Sequence, residues 1–133
     1  MSPEGIGFVV GVVFILPSLY VVRRNRLDSW TWPLLLVSLP VWYAAFGLLA
    51  MDVGVMALEI LVGLPYVAIG ILAWKFKFRF VHYLLGVAWL THGLYDYFHD
   101  DFFINPGVFG WYPSFCAVVD ILVGSYLVLT ADE

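Results

Sequence analysis

Charge is what this chain has least of. Only 12% of its 133 residues are Asp, Glu, Lys or Arg, while 63% are hydrophobic. A soluble domain carries about a quarter charged residues, so a surface drawn from this composition is not wetted by water. Soluble globular enzymes and disordered regulators are excluded on that ground. Six basic residues stand against ten acidic ones, which leaves no basic face for nucleic acid. Cysteine is nearly absent: Cys116 is alone, which excludes an internal disulfide and any Cys-x-x-Cys pair. Repeats, linkers and low-complexity tracts are missing as well, and a single domain over 1–133 is expected.

Long apolar runs are what the chain does have. They fall at about 5–22, 31–51, 54–74, 80–99 and 112–130, each near the roughly 20 residues that a helix needs to cross a bilayer. The break between the second and third runs is only Asp52-Val53-Gly54, and ignoring it would give four spans in place of five. The basic residues decide between these counts. Arg23, Arg24 and Arg26 lie in one loop, and Lys75, Lys77 and Arg79 in another. Five helices put both loops on one side, which the positive-inside rule makes cytoplasmic; four would put them on opposite sides. The expected fold is therefore an all-α membrane protein, a five-transmembrane-helix bundle with its N-terminus outside and its C-terminus in the cytoplasm. Trp30, Trp32 and Trp74 beside the basic loops, and Trp111-Tyr112 at the other end, read as aromatic belts. Met1 to Gly5 lacks a positive n-region, so the first helix is expected to be retained rather than cleaved as a signal. Pro17, Pro40 and Pro65 fall inside helices, where they are either ordinary transmembrane prolines or kinks. Gly7-x-x-x-Gly11 is a helix-packing pattern.

Once loop and terminal charges are set aside, Glu59, His92, Asp96, His99 and Asp120 remain within the runs. An ionised residue at the centre of a membrane helix costs about 2.5–3.5 kcal/mol, so such groups face an interior partner or a cavity. Counted along alternating helices, all five fall in the outer half of the bilayer. His92, Asp96 and His99 stand at i, i+4 and i+7, within an arc of roughly 60° on one helix face. Two imidazoles and a carboxylate are donors that Zn, Fe or Mn accept, and bundle cores build metal sites from such residues. His92, Asp96 and His99 are thus the expected metal ligands. Glu59, Asp96 and Asp120 are the candidate acid and base groups, with Cys116 one turn before Asp120. Each also has a plainer structural reading as an interhelical hydrogen-bond partner. The aromatic outer loop from Asp100 to Ser114 is read either as a cover over the polar group or as an interfacial anchor.

The pattern His92-x-x-x-Asp96-x-x-His99, Trp111-Tyr112-Pro113, Cys116 and Asp120 resembles a family of small prokaryotic integral membrane proteins. The resemblance covers the last third of the chain. It implies a prokaryotic cell-membrane location and a polar group shared by the family, and it brings no activity or cofactor with it. Three functions stay open at this point. One is a metal-dependent, hydrolase-like enzyme acting on a lipophilic molecule, with Glu59 or Asp120 taking the proton of a bound water. Another is a metal-free acid–base isomerase or cyclase of isoprenoid- or sterol-like substrates. The third is a non-enzymatic, ion-binding subunit. Membrane lipids are the expected surroundings, and a homo-oligomer or partner subunit would add volume to so small a bundle.

Overall fold

Six helices make up the ordered framework of the computed structural model, which describes residues 1–133. They are α1 (Pro3–Arg24), α2 (Asp28–Leu49), α3 (Val53–Lys75), α4 (Arg79–Tyr97), α5 (His99–Phe102) and α6 (Tyr112–Thr130). α1, α2, α3 and α6 are long and apolar enough to cross a membrane. α4 has 19 residues, as α6 does, but Arg79, His82, His92 and Asp96 make it the least apolar of the long helices. The three helices with internal prolines stay continuous, with Pro17 absorbed in α1, Pro33 and Pro40 in α2 and Pro65 in α3.

The turns between helices are chemically specified. Met51, at φ 57°, takes the left-handed conformation that ends a helix. Its N–H donates to Leu48 O at 2.9 Å and the Asp52 N–H to Gly47 O at 2.9 Å, the pair of bonds that closes a Schellman motif. Asp52 then caps α3 by accepting from Val55 N at 3.0 Å. Arg26, at φ 56°, closes α1 in the same way, with the Leu27 N–H donating to Val22 O at 3.0 Å. The break at Asp52 is therefore a real turn, and the run 31–74 is two helices.

Both basic loops lie at one end of the bundle. Lys77 of the α3–α4 loop donates to Ser29 O at 2.9 Å, and Arg23 and Arg79 pair with Glu133 and Asp132 of the C-terminus. α2 packs mainly on α3, and α6 lies between α1 and α4; α3 meets α4 to join the two groups. Small residues permit the close crossings. A Cβ on Gly7 or Gly11 would stand 2.1 Å from Trp111 O or 2.3 Å from Val118 Cγ1, so the Gly7-x-x-x-Gly11 pattern is indeed a contact face, directed at α6.

Two sequence expectations change here. Trp32, expected in an aromatic belt, is buried: its indole meets Trp89 edge-on at 6.3 Å and donates to Asp28 Oδ1 at 2.9 Å. Burying the ring in the core satisfies its N–H internally, because Asp28, which also accepts from Tyr126 OH at 2.7 Å, begins α2 rather than lying free in the loop. The fourth helix, expected over 80–99, ends at Tyr97. Phe98, at φ -98° and ψ 15°, breaks the ladder, and His99 starts the separate turn α5.

Candidate metal centre

His92, Asp96 and Asp120 come together where α4 crosses α6, all three buried. His92 and Asp96 are one helical turn apart and share a face; Asp120, eight residues into α6, is brought to them by the close α4–α6 approach. A Cβ on Gly93 would stand 2.8 Å from Ile121 Cγ1 and 3.1 Å from Asp120 Cβ, so Gly93 lets the two backbones close. His92 Nδ1 is 2.7 Å from Asp120 Oδ2 and 3.3 Å from Asp96 Oδ2. One ring nitrogen holds one proton, and the shorter contact takes it. Asp96 is left with both carboxylate oxygens buried and no hydrogen bond to either. A buried polar group without a partner is costly, and a carboxylate most of all. One potential donor atom from each residue lies within 4.8 Å of the others, a spacing that can hold a metal ion.

His99 is not in this group. It was expected to complete the ligand set with His92 and Asp96, but the helix break at Phe98 takes it off the α4 stripe. Its Nε2 stands 2.6 Å from Glu59 Oε1 of α3. The triad that can hold a metal is therefore His92, Asp96 and Asp120, with Asp120 where the stripe put His99. Of the three candidate acid and base groups, Asp96 and Asp120 share the triad and Glu59 does not.

Glu59 and His99 form a second buried cluster. Glu59 accepts from Tyr95 OH at 2.7 Å and from Asn105 Nδ2 at 3.0 Å. Tyr43 of α2 stacks on the His99 ring at 4.4 Å and 9° between planes. Tyr95 packs against both imidazoles, 5.7 Å from His92 and 5.4 Å from His99 between ring centroids, so the clusters adjoin. Glu59 is six residues, about 9 Å, from the start of α3, and Asp120 about 12 Å from the start of α6. His92 is five residues from the end of α4. Each therefore lies toward the end away from the basic loops, at one depth. Cys116 is buried one turn from Asp120, as its spacing implied. A cavity of about 490 Å³ opens at the other end, lined by Asp28, Lys77, Arg79, His82 and Asp132, and is separate from the triad.

Sequence reading missed Tyr43, Tyr95 and Asn105. Tyr95 could have been noticed, since it sits inside the His92–Asp96 segment. Asn105 carried a weaker signal as a lone amide in an aromatic loop, and Tyr43 carried none. Asn105 ties that loop down by donating to Tyr43 O at 2.9 Å as well as to Glu59. Gly107 lies against α2, where a Cβ would stand 2.0 Å from Phe46 O. Asn105 and Phe103 lie over the Glu59–His99 cluster, as a cover would, while Phe102, Ile104, Phe109 and Trp111 stay exposed, as an interfacial anchor would. Replacing Asn105 by Ala leaves two buried acceptors short of a donor, at a cost of about 2 kcal/mol. The expected result is faster cleavage of the loop 103–111 in limited proteolysis. A wild-type cleavage rate would show that Asn105 does not hold it.

No protein-family model, curated protein or solved structure matches the chain.

Proposed function

We propose that this is an integral membrane protein of five crossings that carries a divalent transition-metal centre in the outer half of the bilayer. His92, Asp96 and Asp120 are its ligands. The observation that carries the reading is Asp96, whose two carboxylate oxygens are buried and accept no hydrogen bond. With Asp120 beside it, the pocket holds two carboxylates and one imidazole in a low-dielectric setting. A divalent cation balances two carboxylates to zero, whereas the His92–Asp96–His99 set expected from spacing would leave a net positive charge. One nitrogen and two oxygen donors also shift preference toward harder ions, so Mn or Fe(II) fits this set better than Zn. For the topology, α4 adds a crossing to those of α1, α2, α3 and α6, and the shared end of the basic loops supports a cytoplasmic placement of that end. The N-terminus and the metal centre then face outward.

His92, Asp96 and Asp120 would hold the metal, which when bound would acidify a water and polarise a carbonyl, so hydrolysis of a lipophilic substrate entering from the bilayer is the simplest chemistry. Elemental analysis of protein purified without chelators tests the centre. The wild type should carry about one metal per chain, and Asp120→Ala should carry none. His99→Ala should keep the metal, which separates this triad from the three-residue stripe on one helix. A metal-free wild type overturns the reading and favours the acid–base alternative, in which His92 exchanges a proton with Asp120 across their 2.7 Å contact.

A further inference from the structure

The cluster around Glu59 is left unused by the metal chemistry, yet it has a feature that a purely structural pair does not need. His99 faces a carboxylate on each of its two nitrogens. Nε2 is 2.6 Å from Glu59 Oε1, and Nδ1 is 3.3 Å from Asp100 Oδ1. The two carboxylates differ sharply in setting. The Glu59 side chain is 1% exposed and that of His99 0%, while that of Asp100 is 75% exposed. Asp100 and its exposed neighbour Asp101 lie at the end of the bundle away from the basic loops, where a pair of carboxylates requires water. An imidazole bridging a solvated and a buried carboxylate is built to pass protons.

We infer that Asp100, His99 and Glu59 form a proton relay between solvent and the interior of the bundle, with Glu59 as its inner terminus. The surrounding groups hold the relay in line. Tyr43 of α2 stacks on the His99 ring and fixes its plane, and Phe103 covers it at 5.4 Å. Tyr95 of α4 donates to Glu59 Oε2 and Asn105 of the loop to Oε1, so neither oxygen can turn away. Tyr95 also packs against His92, which places the inner terminus beside the metal-type triad.

The transfer is balanced at each atom. Inward, a proton on the Asp100 carboxyl passes to the free electron pair of His99 Nδ1. The Nε2–H bond then breaks as an O–H bond forms on Glu59 Oε1, leaving the ring as its Nδ1–H tautomer. Outward transfer reverses both steps and restores the Nε2–H tautomer. One proton in and one proton out leaves the relay as it began, as an acid–base cycle at an adjoining site requires. This role rests on the triad being the working centre, but the relay can be tested without it.

The test uses full-length protein in lipid nanodiscs and infrared spectroscopy, with metal content measured on the same samples. In acid buffer, the carbonyl band of a neutral carboxyl group that disappears in Glu59→Gln is assigned to Glu59. Its shift after transfer to D2O then gives the rate at which the buried proton exchanges with solvent. We expect exchange to slow about 100-fold in His99→Gln and about tenfold in Asp100→Asn. Asp100 is exposed, so its variant keeps the test valid should the His99 variant fold poorly. Loss of no band in Glu59→Gln, or exchange at the wild-type rate in Asp100→Asn, overturns the relay. Metal content should stay at the wild-type level in both relay variants. A metal-free wild type with the slowed exchange would remove the metal centre and leave the relay standing.

Discussion

His92→Ala should lower the unfolding free energy by about 3–5 kcal/mol, the range seen when one partner of a buried ion pair is removed. The reason is arithmetic on the triad. His92 is its single group able to carry positive charge, and its Nδ1 lies 2.7 Å from Asp120 and 3.3 Å from Asp96. Alanine leaves two carboxylates facing each other in a site 0–1% exposed, with no cation between them. Adding Asp96→Asn to His92→Ala should restore part of the loss, because one of the opposed charges is gone. The coupling in that cycle is therefore expected to be large and of compensating sign. Thermal unfolding in detergent, on metal-free protein, reads it directly. A loss below about 1 kcal/mol for His92→Ala, typical of an exposed pair, would mean that the imidazole does not balance the carboxylates.

Gly124→Val should be comparably severe although it removes no polar group. A Cβ at Gly124 stands 2.7 Å from the backbone N of Leu90 and 2.8 Å from Gly86 O. Those are main-chain atoms of α4, so the strain cannot be relieved by a rotamer change. Overpacking of this kind costs about 1–3 kcal/mol, and here it also pushes α4 away from α6. Gly124 is one turn, about 6 Å along the axis, from Asp120, so the 2.7 Å contact to His92 opens with it. The expected outcome is loss of both stability and bound metal. Gly54→Ala is the control: its added Cβ meets only Asp52 Oδ1 at 3.5 Å, and it should leave metal content unchanged. Retention of metal in Gly124→Val would show that the triad does not depend on the α4–α6 spacing.

How far the site could be read in advance differs from residue to residue. His92 and Asp96 are four apart on one helix, and local periodicity alone places them on one face. Asp120 was recognisable as a buried acid at the same depth, but its distance from His92 depends on which helices touch. His99 shows where periodicity misleads. The i+7 projection assumes that the helix continues, and it stops at Phe98. Neither glycine nor proline marks that stop, just as no glycine marks the left-handed turn at Met51. Trp32 was misplaced for a related reason. Tryptophans near helix ends suit both an interface and a core, and Trp89 and Asp28 are what draw this one inward.

An apolar, all-α chain of five long helices, with its buried ionisable residues at one depth, is legible without any tertiary contact. These follow from local quantities: apolar content, the length of each run, and the position of six basic residues in two loops. Helix packing sets how the five polar residues divide. It joins His92 and Asp96 to Asp120 rather than His99, gives Glu59 to His99, and brings Asn105 from the loop to the second cluster. Partnership between side chains on different helices depends on which helices pack, at what spacing and with what ends. Glycines at the crossings and a break at one phenylalanine set those contacts, and neither leaves a periodic trace in the chain.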